Sequence, residues 1–401
     1  MVHTPVYLDN QSTTRVDPRV VEAMLPFFSE CYGNAGSTSH PFGWDARDAV
    51  DQARAALANA INASEREIVF TSGATESNNL ALRGIANRAR RKGNHLISVT
   101  TEHKAILDPL QRLGKNGLDV SLLEVADQST STPGQLDPQA VADAIRDDTL
   151  LVTVMLANNE MGVLQPLAEI GRICKQRGVL LHTDATQAVG KFPVDVDALQ
   201  IDLMSFSAHK LYGPKGIGAL YVRRRNPVVR LDPQVDGGGQ EGGRRSGTLN
   251  VPGIVGLARA VELCQQEWEP EQERLGHLRD RLFARLAQEI DGVELNGPPL
   301  GPDRLAHNLN CSFAGVDGES LMMSMRDVAV SSGSACTSTD PAPSHVLLAL
   351  GLSEDRTRAS LRFGLGRFNQ PEELDYAVEA VRESVHRLRA LGSSASSSHT
   401  D

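Results

Sequence analysis

No run of apolar residues approaches the roughly 18 needed to span a bilayer. The opening MVHTPVYLDN lacks a basic stretch followed by a hydrophobic one. These absences argue against a membrane span and a secretory leader, and they predict a cytoplasmic protein. Cysteine is scarce: Cys31, Cys174, Cys264, Cys311 and Cys336 are odd in number and widely spaced, with neither CxxC nor a cluster suited to zinc. They read as reduced thiols. The eleven histidines are scattered and no HExxH occurs, which excludes a zinc hydrolase, and no metal is expected. Forty basic against fifty acidic residues leave a net charge of -10, with no Lys/Arg-rich face able to neutralise a phosphate backbone. Direct nucleic-acid binding is therefore not expected. There is no internal repeat.

What is present suits a globular protein. An apolar share of 40% over 401 residues can bury a sizeable core, and the length favours two domains. VYLDN gives residues 1–16 an extended lead-in, expected to pack with the smaller domain. Asp17-Pro18 then caps and opens a helix. From about 45 to 260, strand-like runs (EIVFT, HLISVT, LLVTVML, VLLHTD, LMSFS, GALYV) alternate with helical stretches such as Leu167 to Gln176. That alternation predicts an α/β fold, a mostly parallel sheet with helices on both faces, over a large domain 17–260. The glycine-rich stretch from Val228 to Asn250 must be loop. Residues 261–392 form a second, smaller α+β unit that ends in a helix behind Pro371, with Leu374, Ala377, Val378, Val381, Val385 and Leu388 on one face. The closing residues 393–401 read as a disordered tail.

Chemistry-bearing residues gather at the ends of the strand-like runs. In LMSFSAHKLYGPKG a strand runs into Ser207, Ala208, His209 and Lys210, and the carboxyl ends of parallel strands are where such sheets bind ligands. A lysine near a buried site can lose its proton and form a Schiff base; a single lysine after a strand is otherwise an ordinary solvated one. VLLHTD delivers Asp184, either a helix cap or the partner of a protonated pyridine nitrogen, with Gln187 placed to reach a phenolic oxygen. In VFTSGATESNN, amides around Gly73, Ala74 and Thr75 precede a helix whose dipole favours a phosphate; alone, the segment is a capped helix. His103, in TEHK, is a structural loop histidine or a ring-stacking proton carrier. Asn159, in NNEMG, is a turn residue or a ligand of a carboxylate or ring oxygen. Arg362, in SLRFG, is a surface ion-pair partner or a bidentate grip on a carboxylate. Cys336 sits among Ser, Gly, Thr, Asp and Pro, a setting for an exposed nucleophile, whereas Cys174 and Cys264 fall in helical patterns and Cys311 in a strand-like run.

Together these segments resemble the cysteine desulfurases of the NifS and IscS type, within the class-V aminotransferases and the fold-type I pyridoxal phosphate enzymes. YLDNQSTTRVDPRV, SGATESNN, TEHK, NNEMGV, DATQ, SFSAHKLYGPKG, RSGT, SSGSACTS and SLRFGLGRF follow in the family's order over nearly the whole chain. The resemblance implies that Lys210 carries pyridoxal 5′-phosphate. It assigns Thr75, Ser207 and His209 to the phosphate, His103 to the ring face, Asp184 to the ring nitrogen and Gln187 to the phenolic oxygen. Asn159 and Arg362 match positions that hold the substrate carboxylate, assisted by Asn34 in YGNAGS. Thr248, in RSGT, matches a residue that reaches the neighbouring subunit's phosphate, which implies a homodimer. The implied reaction turns L-cysteine into L-alanine and leaves sulfur on Cys336 as a persulfide, for delivery to an acceptor protein: an iron-sulfur scaffold or a thiolation enzyme. Ala208 replaces the family's usual glycine, YGNAGS and QEGGRRSGT alter the pocket's edge, and SSASSSHTD stands where scaffold-docking members continue into a longer tail. A selenocysteine lyase, an aminotransferase and a catalytically silent relative are the rival readings. The aminotransferase needs no thiol such as Cys336, and a silent protein has no need of Lys210, Asp184, His103 and Cys336 together.

Overall fold

The computed structural model describes residues 2–89, 92–332 and 342–397. Its strands in chain order are β1 (Val6–Tyr7), β2 (Ile68–Thr71), β3 (His95–Val99), β4 (Asp119–Leu123), β5 (Thr149–Thr153), β6 (Leu180–Asp184), β7 (Leu203–Ser207), β8 (Gly218–Val222), β9 (Val293–Leu295), β10 (Asn308–Phe313), β11 (Val328–Ala329) and β12 (Ser360–Gly364). Seven of them form one sheet in the order β2-β8-β7-β6-β5-β3-β4. Neighbours from β7 across to β4 pair parallel, and β8 alone runs antiparallel, against both β2 and β7. The mostly parallel sheet that the alternation of runs predicts is present, with β8 as its exception. GALYV follows LMSFS after too short a connection for a crossover helix, so it must return antiparallel.

Side chains alternate across this sheet and sort into two cores. On one side Ile68, Phe70, Met204, Phe206, Ala219 and Tyr221 pack with the helices Pro41–Ala60, Leu167–Arg177 and Val251–Gln266. On the other Val69, Leu203, Leu220 and Val222 meet Ala74–Ala89 and Lys104–Lys115. Both faces are covered, which is why the central strands carry apolar residues on both sides.

A third core belongs to the C-terminal part. The antiparallel sheet β12-β10-β9 packs against the helices Trp268–Glu289 and Pro371–Ser397, and Val6 and Leu8 from the start of the chain join it, β1 pairing with β11. The last helix runs to Ser397, past residue 393 where the sequence composition suggests a tail; extending an existing helix is far easier than starting one. No helix among the described residues is long and apolar enough to cross a membrane.

The parallel strands end on one edge of the large sheet, and that edge positions the site. Asp184 closes β6, and Lys210 lies three residues beyond β7, His103 four beyond β3 and Gly73 two beyond β2. Asn159 follows β5 through a short bridged turn.

Candidate active site

These strand ends enclose a pocket of 520 Å³. Its wall contains Gly73, Ala74, Thr75, His103, Asn159, Asp184, Gln187, Ser207, His209 and Lys210, ten of the residues singled out from sequence, in one place. Ser12, Thr13, Met155, Thr186 and Lys215 also line it and were not singled out. Ser12 and Thr13 lie in the quoted YLDNQSTT, so their motif was visible although their place was not. Asn34 is exposed, its Oδ1 accepting from Gly36 N at 2.8 Å, and does not line the pocket. Thr248 is exposed and also outside the wall. Its loop is fixed beside the pocket by Arg245, which pairs with Glu76 at 2.7 Å. Cys336 lies outside the described residues.

One end of the pocket suits an anion. The helix Ala74–Ala89 starts there, and its first amides have no partner within the helix. Gly73 turns the chain with φ +152, a conformation side chains rarely adopt, and an added Cβ would meet nothing nearer than Ser207 Oγ at 3.8 Å. His209 lies in the same wall, its Nδ1 3.2 Å from Thr13 Oγ1. Burial, reinforced by the charges of Lys210, Lys215 and Lys191, pushes its pKa down to about 4, so the ring is neutral at neutral pH.

The same pocket wall carries the acid–base groups Asp184 and His103. Asp184 accepts from Asn78 Nδ2 at 2.7 Å and from Thr186 N at 2.9 Å, so both of its oxygens are fixed. Glu102, buried nearby, is held well above the carboxylate range by desolvation and by the charge of Asp184. Burial and the neighbouring carboxylate both favour the protonated form of Glu102. A charged residue beside a histidine reads as surface in a sequence, and Glu102 was missed for that reason. His103 Nδ1 accepts from Ala105 N at 3.0 Å, which places the proton of the neutral ring on Nε2. Burial, and next the charge of Lys210, lower its pKa, so His103 meets the pocket as an N–H donor.

Arg362 stands directly behind the wall, fully buried on β12. Its Nη1 donates to the Asn159 carbonyl at 2.9 Å and its Nη2 to Ser12 Oγ at 2.7 Å, and both of those partners line the pocket. Gln187 spends Nε2 on the Gln11 carbonyl at 2.9 Å, and its buried Oε1 has no partner among the described residues.

An anion cradle, a lysine, a fixed carboxylate and a histidine around one pocket at the carboxyl edge of a parallel sheet define a fold-type I pyridoxal phosphate enzyme. The chain belongs to the class-V aminotransferase family, whose model matches residues 6–377 and whose enzymes use this cofactor. It is 55% identical over 387 residues to a protein named cysteine desulfurase IscS from Anaeromyxobacter dehalogenans, covering 96% of this chain and 94% of that one. The corresponding protein of Methylococcus capsulatus is 52% identical over the same length and shares. A solved NifS-like protein superposes with a TM-score of 0.86 at 36% identity, covering 94% of this chain and 98% of that chain.

The pocket fits the cofactor. The open cradle at Gly73 has room for a phosphate, Asp184 offers a carboxylate to a ring nitrogen, and the orphaned Gln187 Oε1 offers an acceptor to a protonated ring oxygen.

Proposed function

We propose that this chain takes the sulfur of L-cysteine onto Cys336 and releases L-alanine. Lys210, Asp184 and His103, brought from three strand ends to one pocket, are the observation that carries the reading. Gly73, Ala74, Thr75, Ser207 and His209 would hold the cofactor's phosphate, Asp184 its ring nitrogen and Lys210 its aldehyde carbon. When bound, pyridoxal phosphate supplies an electron sink for the charge left at the substrate Cα.

The protein's own groups do the rest. Asn159 and Arg362 orient the substrate carboxylate. The amine of Lys210 moves the Cα proton, and His103 Nε2 donates toward the departing sulfur. Cys336 attacks as a thiolate: its S–S bond forms as the substrate C–S bond breaks, and returned protons complete alanine, so cysteine and one thiol yield alanine and one persulfide. A protein acceptor then removes the outer sulfur, in keeping with a nucleophile carried in a Ser-rich segment.

The working unit in this proposal is a homodimer in the cytoplasm. Exposed apolar residues support the dimer: Val21, Leu25, Phe28, Tyr32, Phe42 and Trp44 are all exposed within residues 21–44, with the Tyr32 and Phe42 rings 5.5 Å apart. Thr248, exposed and outside this chain's own pocket wall, would serve a partner's site. A solved protein described as SspA in complex with cysteine, 37% identical with a TM-score of 0.76 and covering 90% of this chain and 98% of that chain, supports cysteine as the substrate.

The test uses two variants. Lys210→Ala should lose the visible absorption band of the purified protein. Cys336→Ser should keep the band and stop sulfide release from cysteine under reducing conditions. Full sulfide release from Cys336→Ser refutes the assignment of the carrier thiol.

A further inference from the structure

The guanidinium of Arg362 already has a carboxylate. Its Nη2 donates to Asp9 Oδ1 at 2.8 Å, and the same oxygen accepts from Ser12 Oγ at 2.9 Å and from Ser331 Oγ at 2.7 Å. Arg362 Nη2 also reaches the hydroxyls of Ser12 and Ser331, at 2.7 and 3.1 Å. Its Nε is buried and has no partner among the described residues. The side chain of Arg362 is 2% exposed and that of Asp9 is 19% exposed, so this ion pair lies where water screens it little. One face of the cluster is Ser12, and Ser12 is in the pocket wall.

We propose that Asp9 is a specificity-determining counter-ion: from inside the protein it occupies the nitrogen of Arg362 that an amino-acid carboxylate would use, and its charge limits how tightly that carboxylate is held. The proposal rests on Arg362 being the substrate's carboxylate anchor. Two carboxylates on one guanidinium repel each other, so each weakens the other's hold. An arginine neutralised from within also costs less to keep buried between substrates than an unpaired one. The consequence is moderate affinity for the carboxylate and easy release of an amino-acid product. Nothing in YLDNQSTT announces this role, because the pair spans the chain from residue 9 to residue 362.

The probes are L-alanine and L-alaninamide, which differ in the charge of the carboxyl end, with both dissociation constants referred to the unprotonated amine. Each is titrated into the full-length holoenzyme while the visible band is followed, and the readout is the ratio of the two dissociation constants. Cutting a desolvated charge pair whose arginine has no other counter-ion typically weakens binding by about 30-fold to several thousandfold. In the unmodified protein the preference for alanine should instead be about tenfold or less, and a preference of about a thousandfold overturns the proposal without any variant. Asp9→Asn keeps the shape and an acceptor for Nη2 while removing the charge. It should raise the preference by about three- to tenfold, mainly through tighter alanine binding, with alaninamide nearly unchanged. Asp9→Glu should restore the original ratio, which a merely structural role would not do. Arg362→Gln should bring the ratio close to one. A ratio that collapses in Arg362→Gln but stays put in Asp9→Asn removes Asp9 from the account and leaves the anchor standing. A ratio unchanged in Arg362→Gln removes the anchor itself, and the proposal with it.

Discussion

Gly218 opens β8 between two partners, Thr71 of β2 and Ser207 of β7, and both of those strands lead into the cofactor pocket. An alanine there would place its Cβ 2.6 Å from the Phe206 carbonyl oxygen, 2.7 Å from Gly73 Cα and 2.9 Å from the Gly73 carbonyl carbon. Carbon atoms pack at roughly 3.5–4.0 Å, so about 1 Å must be found somewhere. All three obstacles are backbone. Phe206 is locked in the β7–β8 ladder, whereas Gly73 belongs to a turn at the sheet's edge, so the turn is what yields. Such overpacking costs roughly 1–3 kcal/mol. Because the turn opens the helix that would hold the phosphate, most of that cost should appear as weaker cofactor binding, about 5- to 150-fold. The measurement is a titration of pyridoxal phosphate into the apo-protein of Gly218→Ala, with thermal unfolding of the same apo-protein beside it. If stability falls but cofactor affinity does not, the phosphate does not sit on the Gly73 turn. If neither changes, the close approach of backbone to backbone is not real.

Three further outcomes are expected. Glu241→Ala should destabilise the protein by roughly 3 kcal/mol in urea, because Glu241 pairs with Arg54 at 2.7 and 2.9 Å and accepts from Phe70 N at 2.8 Å, and its loss strands a guanidinium packed over the Phe70 ring; an unchanged urea midpoint refutes this. Burial pushes the carboxyl of Glu160 up from 4.5 to about 7, so its stabilising protonated form is fully present below pH 4.5 and lost as pH rises through 7. Glu160→Gln should therefore gain on the parent protein across that window, by up to roughly 3 kcal/mol, and a pH-independent difference in urea stability would contradict the assignment. Gly73→Ala has room for its Cβ but must adopt φ near +152, so it should lose roughly 1–3 kcal/mol through backbone strain, read as a lower unfolding temperature.

The parallel core was legible because β3, β5, β6 and β7 carry adjacent apolar residues that face both sides of the sheet, a pattern that suits a doubly covered sheet. The edge strand Asp119–Leu123 was not: none of DVSLL is buried, so no apolar run marks it. The same physics divides the site. Asp184, His103 and Lys210 follow strands by fixed short distances, so finding the strands placed the residues. The contacts of Arg362 with Asp9, Ser12 and Ser331 depend on how the C-terminal core docks on the large sheet, and no local pattern encodes that. Lys191 makes the same point: it is buried with Nζ 3.2 Å from His307 Nε2, which burial and the Lys191 charge hold well below the usual histidine range. A lysine in a loop gives no sign of such a partner 116 residues away.

This division has a functional consequence. The groups proposed for the cofactor, Gly73 to Thr75, His103, Asp184, Ser207, His209 and Lys210, all hang from the large sheet. The carboxylate anchor comes from β12, whose side chains Leu361 and Phe363 are buried in the other core, and it is held by Asp9 and Ser12 from the start of the chain. Loosening the C-terminal core in mild urea should therefore weaken substrate binding before it releases the cofactor. The affinity for L-alanine should fall at urea concentrations where the visible band still stands at full height. Coincident loss of both signals would mean that the two cores unfold as one cooperative unit, and the Arg362 anchor would then be as tightly coupled to the large sheet as Lys210 is.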